Sequence, residues 1–238
     1  MIREAVILAG GRGTRLRSVV PDLPKPMAPV AGKPFLEILL ASLARKNIGR
    51  VVLSVGYLAE SIISHFGQRF QGIEIDYARE DSPLGTGGAL RLALQKCREE
   101  AVLVLNGDTF LEFDMPSVSR DWQIHRCPIV IGMYSRDTAR YGRLSLDGDR
   151  VVGFLEKGNS GPGVINAGSY IFPANFLCQA DLPEVFSLEQ DFFPQELQRS
   201  YFRLFAASGM FIDIGVPDDY FLAQTRLAQY ASNGEGSC

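Results

Sequence analysis

The segment Leu8-Ala9-Gly10-Gly11-Arg12-Gly13-Thr14-Arg15-Leu16 interleaves glycines with arginines. Glycines carry no Cβ, so their backbone N–H groups can converge on one ligand, and phosphate oxygens suit such a cradle. The spacing is not that of a dinucleotide turn, because Leu16 stands where Gly-x-Gly-x-x-Gly needs its third glycine. Nor is it a Walker loop, since no Gly-Lys-Ser/Thr follows at the required distance. A plain strand-to-loop turn has no need of so many glycines and arginines. Downstream, Lys25 sits between Pro24 and Pro26. Prolines restrict the backbone on both sides, so the lysine is expected on a stiff, extended segment, where holding its ammonium costs little entropy. Read alone, that segment is better taken as an exposed surface loop.

These residues need a frame to hold them. The chain has 238 residues, 46% of them apolar and 21% charged, an ordinary globular composition. A chain of this length buries roughly 70–75% of its unfolded surface and needs no staples. With 24 lysines and arginines against 27 aspartates and glutamates, the net charge is −3. A mildly acidic chain is a poor general nucleic-acid binder, though a local basic cleft can still hold an anion. No apolar run approaches the ~20 residues of a membrane span. The start, Met1-Ile2-Arg3-Glu4, does not read as a signal peptide. Cys97, Cys127, Cys178 and Cys238 are far apart, and only His65 and His125 could join them, so no zinc site is expected. Reduced thiols and a cytoplasmic location are expected.

Strand-like and helix-like segments alternate through the first half. Ala5–Leu8, Val51–Val55, Ile73–Ala78 and Val102–Leu105 read as strands; Phe35–Lys46, Ala59–Phe66 and Gly87–Cys97 read as helices. This order predicts right-handed crossovers and a mostly parallel sheet covered by helices on both faces, an α/β fold. Ligands in such sheets sit at the carboxyl ends of the strands, where Gly10–Arg15, Gly56-Tyr57 and Gly107-Asp108-Thr109 fall. In the second half, Pro128–Tyr134 and Val164–Phe172 read as strands, and Asp147-Gly148-Asp149 as a hairpin turn between Gly142–Leu146 and Arg150–Leu155. Asp191–Arg199 and Pro217–Tyr230 read as helices. The expected result is a mixed sheet with a small antiparallel extension. Residues 1–231 are expected to form a single domain and 232–238 a flexible tail.

Taken together, Leu-Ala-Gly-Gly-x-Gly-Thr-Arg-Leu followed by Pro-Lys-Pro-Met resembles the sugar-1-phosphate nucleotidyltransferases. The resemblance runs on through Pro83–Leu90, Asn106-Gly107-Asp108, Glu156-Lys157, Asn166-Ala167-Gly168 and Phe211–Gly215, covering residues 4–220 in order and spacing. It implies a Rossmann-like sheet of the nucleotide-diphospho-sugar transferase type that binds a nucleoside triphosphate and a sugar 1-phosphate. The sugar phosphate oxygen attacks the α-phosphorus in line, and pyrophosphate leaves. Such a reaction gathers several phosphate charges, so catalysis rests on positioning and charge neutralisation. The resemblance makes Arg15 and Lys25 catalytic, gripping the reacting phosphates. It assigns Leu8, Gly10, Gly11, Gly13, Thr14, Glu80, Gly85, Thr86, Gly87, Asn106 and Gly107 to the nucleotide. Glu156, Lys157, Asn166 and Gly168 fall to the sugar phosphate, although Gly158 replaces the proline that usually follows the Glu-Lys pair. Asp108 and Asp213 match carboxylates that hold Mg²⁺. Turn residues beside glycine are the alternative for both aspartates, and a backbone-satisfied amide is the alternative for Asn166.

Glu80 occupies the place where thymidylyl and uridylyl members carry a base-reading glutamine. A carboxylate only accepts hydrogen bonds, and guanine offers N1–H beside the 2-amino group, so Glu80 favours GTP. The alternative is a solvated charge beside Arg79. The loop Gly85–Ala89 and the run Asn106–Phe110 are similar to those of short bacterial members that activate heptose 1-phosphate with GTP. Mannose-1-phosphate guanylyltransferases and N-acetylmuramate 1-phosphate uridylyltransferases are neighbouring possibilities. The sugar itself rests on this analogy alone. A non-catalytic sugar-nucleotide sensor on the same fold would be expected to lose the arginine, the lysine or the metal aspartate, and all are present. No nucleic-acid or membrane partner is expected, and a homo-oligomer is compatible with the sequence.

Overall fold

The computed structural model describes residues 1–11, 13–155, 158, 160–178 and 182–232, apart from the Thr14 side chain. Glu156, Lys157 and all of the expected tail except Ser232 lie outside the described residues.

Strand β1 (Glu4–Leu8) leads to single 3-10 turns at Thr14–Leu16 and Lys25–Met27, then to a small hairpin of β2 (Pro29–Val30) and β3 (Lys33–Pro34). Next come α1 (Phe35–Arg45), β4 (Arg50–Val55), α2 (Ala59–Phe66), β5 (Arg69–Phe70), β6 (Ile73–Arg79), α3 (Gly85–Leu94) and β7 (Ala101–Asn106). After these, β8 (Thr109–Leu111) and α4 (Met115–His125) precede β9 (Ile129–Ser135), the hairpin β10 (Arg143–Asp147) and β11 (Arg150–Leu155), and the long β12 (Gly163–Pro173). A π-helical turn at Leu188–Phe192 runs into α5 (Phe193–Glu196), followed by β13 (Phe202–Ala207), β14 (Phe211–Asp213), α6 (Pro217–Arg226) and α7 (Ala228–Ser232).

Among the described residues, one ten-stranded sheet runs β10-β11-β13-β9-β12-β7-β1-β4-β6-β5. Strands β1, β4, β6 and β7 are mutually parallel. β1 alternates its side chains between two apolar layers: Ala5 and Ile7 join α1 on one face, and Val6 joins Leu90 of α3 on the other. Burial on both faces explains the unbroken apolar runs in β1, β4 and β7. The chain steps outward from β1 to β4 and β6, then returns to place β7 on β1's other side. That reversal is a topological switch point, and a crevice opens beyond the carboxyl ends of β1 and β7. Leu8 is in register with Ser54 on one side and Asn106 on the other, so these three residues form the crevice floor.

The antiparallel strands continue the same sheet from β7 through β12. A register shift between Asn166 and Ser169 against β9 makes a bulge in β12, with Gly168 at φ +63°. A Cβ on Gly168 would run into the Asn106 side chain, so glycine there lets the bulge close onto the end of β7.

Several expected elements differ in detail. The segment read as a helix over Asp191–Arg199 is the π-turn plus the short α5, with the Ser187 hydroxyl accepting from Gln190 N–H at 3.2 Å. The helix expected over Pro217–Tyr230 breaks at Leu227 into α6 and α7. Ser232, assigned to the tail, ends α7 and donates its hydroxyl to the Ala228 carbonyl at 2.8 Å. Helix α4 was not anticipated, although Asp114 caps it by accepting from Ser117 N–H at 3.0 Å.

Candidate active site

The crevice is a cleft of about 610 Å³ whose lining includes Leu8, Gly10, Gly11, Gly13, Arg15 and Lys25, together with Glu80, Gly85, Thr86 and Asn106–Asp108. The volume suits a nucleotide-sized ligand. Its floor is backbone. Gly107 N–H donates to the Leu8 carbonyl at 2.9 Å, and a Cβ on Gly107 would sit 2.7 Å from that same oxygen. Only glycine lets the two strand ends meet this closely. Gly13 adopts φ +57°, and a Cβ there would lie 2.9 Å from the Lys25 Cβ. The glycine-rich turn thus lies directly against the lysine.

Lys25 does not lie on an extended segment. Pro24 is extended, but Lys25 opens a 3-10 turn closed by Met27 N–H to the Pro24 carbonyl at 2.8 Å. Buried Pro26 and Met27 anchor that turn. It aims the lysine inward, where the side chain is 9% exposed and its ammonium is ion-paired with the Asp108 carboxylate, itself 31% exposed. The second expected metal carboxylate, Asp213, ends β14, which β8 holds beside Asp108 by pairing Asp213 with Thr109. Ile214 N–H donates to the Asp108 carbonyl at 2.9 Å, and Gly215 N–H to Asp213 Oδ1 at 2.6 Å. The point a Gly215 Cβ would occupy lies 2.6 Å from Asp213 Oδ1 and 3.1 Å from Lys25 Nζ. One ammonium and two carboxylates therefore lie together, Lys25 and Asp108 in the cleft wall and Asp213 behind Gly215, just outside the lining.

Among the described residues no group of three histidine, cysteine, aspartate or glutamate side chains could enclose a metal. A cation such as Mg²⁺ needs only one or two protein carboxylates, since phosphates and water complete its shell. Asp108 and Asp213 are hard oxygen donors brought close together, so the pair fits the divalent cation that the sequence resemblance implies. Arg15 stands at the mouth on the first 3-10 turn, which buried Leu16 pins to the core. Its exposed guanidinium is free to fork onto phosphate oxygens.

Glu80 is not a solvated partner of Arg79. Arg79 pairs with Glu60 at 2.6 Å, whereas Glu80 is half-buried and lines the cleft beside Gly10. Its Oε2 accepts from Leu84 N–H at 3.0 Å, and its Oε1 lies 3.4 Å from the Ser54 hydroxyl. Gly87 differs from expectation. It does not line the cleft; it packs under the Phe186 ring, with its N–H donating to the Phe186 carbonyl at 2.9 Å. Of that loop, Gly85 and Thr86 reach the ligand space, and Thr86 also ties down the neighbouring chain by accepting from Leu188 N–H at 2.9 Å.

The sugar-side residues sit past Asn106. Asn166 spends its amide locally: Nδ2 donates to the Tyr170 hydroxyl at 2.8 Å, and Oδ1 accepts from Gly168 N–H at 3.1 Å. Tyr170 is fully buried, and burial pushes its phenol pKa up, so it stays neutral there. Neither Asn166, Gly168 nor Asp213 is part of the main cleft's lining. Ser54, Asp81 and Gly215 line it without having been assigned a role, and so does Tyr57. Gly56-Tyr57 already stood at a strand's carboxyl end in the sequence, which was the available signal.

Comparison with known proteins gives a consistent result. A family model described as Nucleotidyl transferase matches residues 4–230. A D-glycero-α-D-manno-heptose 1-phosphate guanylyltransferase from Aneurinibacillus thermoaerophilus is 44% identical over 229 residues, 95% of this chain and 99% of that protein. The Campylobacter jejuni protein of the same name is 40% identical over 220 residues, covering 92% of this chain and 97% of its own. The crystal structure of HddC from Yersinia pseudotuberculosis complexed with GMP-PN superposes with a TM-score of 0.86 at 36% identity, covering 95% of this chain and all of that one.

Proposed function

The chain belongs to the nucleotidyl transferase family, and from that membership we propose that it moves GMP from GTP onto D-glycero-α-D-manno-heptose 1-phosphate, releasing pyrophosphate. The observation that carries the reading is the convergence of Lys25, Asp108 and Asp213 at the switch point, beside a glycine-lined cleft that Arg15 guards. Near-full-length similarity to two heptose 1-phosphate guanylyltransferases supports the choice of sugar and nucleotide.

The residues divide the work by charge and position. Backbone N–H groups of Gly10, Gly11 and Gly13 offer a cradle for the triphosphate, and Arg15 closes over it from the mouth. Lys25 is buried and preorganised, so its ammonium neutralises charge that builds on the α-phosphate as the new bond forms. Mg²⁺, held by Asp108 and Asp213, would screen the triphosphate and favour pyrophosphate departure. Lys25, paired with Asp108 in the free site, would exchange that carboxylate for phosphate oxygens once nucleotide is bound. Glu80 faces guanine N1–H and the 2-amino group. Each of its oxygens has two lone pairs, so accepting from Leu84 and Ser54 leaves capacity for the base. Lys157 and Glu156 would hold the sugar phosphate so that one of its oxygens lies in line with the α-phosphorus.

Pyrophosphate release from GTP, ATP, UTP and dTTP, each with heptose, mannose and N-acetylmuramate 1-phosphates, tests the proposal. Highest turnover with GTP and the heptose phosphate is expected. Preference for mannose 1-phosphate or for UTP would reassign the substrates while keeping the reaction.

A further inference from the structure

The segment between β9 and β10 links the two halves of the site, and nothing in the catalytic account uses it. Arg140 on this segment pairs with Asp219 in the first turn of α6 at 2.7 Å. Asp219's side chain is only 10% exposed, although it is charged. Helix α6 begins directly after Gly215 and so continues the wall that carries Asp213. A second tie runs alongside: the Tyr141 ring meets Phe211 of β14 edge-to-face, with centroids 5.3 Å apart. On its other side the same segment holds the sugar-phosphate region. The Ala139 carbonyl accepts from Gly158 N–H at 2.9 Å, immediately after Lys157. Buried Thr138 donates its N–H to the Gly161 carbonyl at 3.0 Å, and the Gly142 carbonyl accepts from Asn166 N–H at 2.8 Å.

We propose that the Arg140–Asp219 ion pair is a strap across the site, setting the distance between the sugar-phosphate loop and the metal-and-phosphate wall. Neither residue need touch substrate; both are positioning residues. The inference rests on the function proposed above, in which Glu156 and Lys157 hold the sugar phosphate. A loose strap misplaces the nucleophile while GTP stays bound, because the wall at the strap's other end is also fixed by the β14–β8 pairing and by Ile214 N–H donating to the Asp108 carbonyl at 2.9 Å.

The test uses the full chain as wild type, Arg140→Gln, Asp219→Asn, the double variant and Arg140→Lys, with unfolding temperatures confirming that each folds. Arg140→Gln and Asp219→Asn should each raise KM for heptose 1-phosphate about tenfold while leaving KM for GTP within about twofold. The double variant should be no worse than either single one, as for two halves of one device. Arg140→Lys should recover part of the loss. Hydrogen exchange over residues 156–163 should rise in both single variants, with exchange over residues 80–90 unchanged. If Arg140→Gln is severe and Asp219→Asn silent, Arg140 contacts substrate and the strap is refuted. It is equally refuted if both KM values rise together or neither moves. Should wild type fail to turn over these substrates, the functional reading falls. The exchange measurement then decides the strap alone, an unchanged 156–163 segment overturning it.

Discussion

Lys25 and Asp108 differ in exposure, so removing one is not equivalent to removing the other. Lys25 is nearly enclosed, whereas about a third of the Asp108 side chain meets solvent. Asp108→Asn strands an ammonium that water can scarcely reach. Breaking a buried pair from one side costs about 3–5 kcal/mol, and the Asp213 carboxylate near that ammonium should reduce this to about 2 kcal/mol. Lys25→Met strands a carboxylate that water can still hydrate, so about 1 kcal/mol is expected. At about 2–4 °C per kcal/mol for a chain of this size, the melting temperature should fall by about 4–8 °C and about 2–4 °C respectively. The double variant Lys25→Met/Asp108→Asn strands no ammonium and leaves only Asp213, which Gly215 N–H still holds, so it should melt above Asp108→Asn alone. Activity should behave differently. Each single variant and the double should lose at least about 10²-fold in kcat, because charge stabilisation at the transferring phosphoryl group is gone in all three. Thermal denaturation and pyrophosphate release on the same preparations separate the two effects. Equal destabilisation by the single variants, summing in the double, would refute the buried-pair reasoning. Near-normal kcat in Lys25→Met would refute the catalytic role.

Glu80→Gln replaces an acceptor with a donor facing guanine's donors, so kcat/KM for GTP should fall relative to UTP and dTTP; an unchanged ranking would move base reading to the backbone of the Gly85-Thr86 loop. Chelation with EDTA should abolish turnover and Mg²⁺ should restore it, whereas full activity in chelator would remove the metal role of Asp108 and Asp213. Gly107→Ala forces a methyl against the Leu8 carbonyl and should lower stability by about 1–3 kcal/mol and weaken GTP binding, checked by denaturation and by titration with GTP.

The parallel half of the fold was legible because its signals are local. β1, β4 and β7 are short apolar runs buried on both faces, and they lead into Gly10, Gly56 and Asn106-Gly107, which line the cleft. Helix α4 carried a signal that went unread: the Asp114 cap precedes Pro116, and Met115, Val118, Ser119 and Trp122 form its buried face. A serine in that narrow stripe obscured the helical period. Lys25 looked extended because flanking prolines favour extended backbone, yet the second proline also suits the start of a 3-10 turn. The role of Gly87 was not readable, since the Phe186 ring that excludes a side chain there comes from a distant segment. The ion pairs Lys25–Asp108 and Arg140–Asp219 join residues 83 and 79 positions apart, which no local pattern encodes.

The central claim is that a phosphate oxygen of heptose 1-phosphate attacks the α-phosphorus of GTP. Heptose 1-phosphate carrying ¹⁸O in its phosphate, incubated with GTP, Mg²⁺ and the wild-type chain, tests this directly by mass spectrometry. All label should appear in a GDP-heptose product formed in equal amount with unlabelled pyrophosphate. Label in the pyrophosphate, or no GDP-sugar at all, would contradict it.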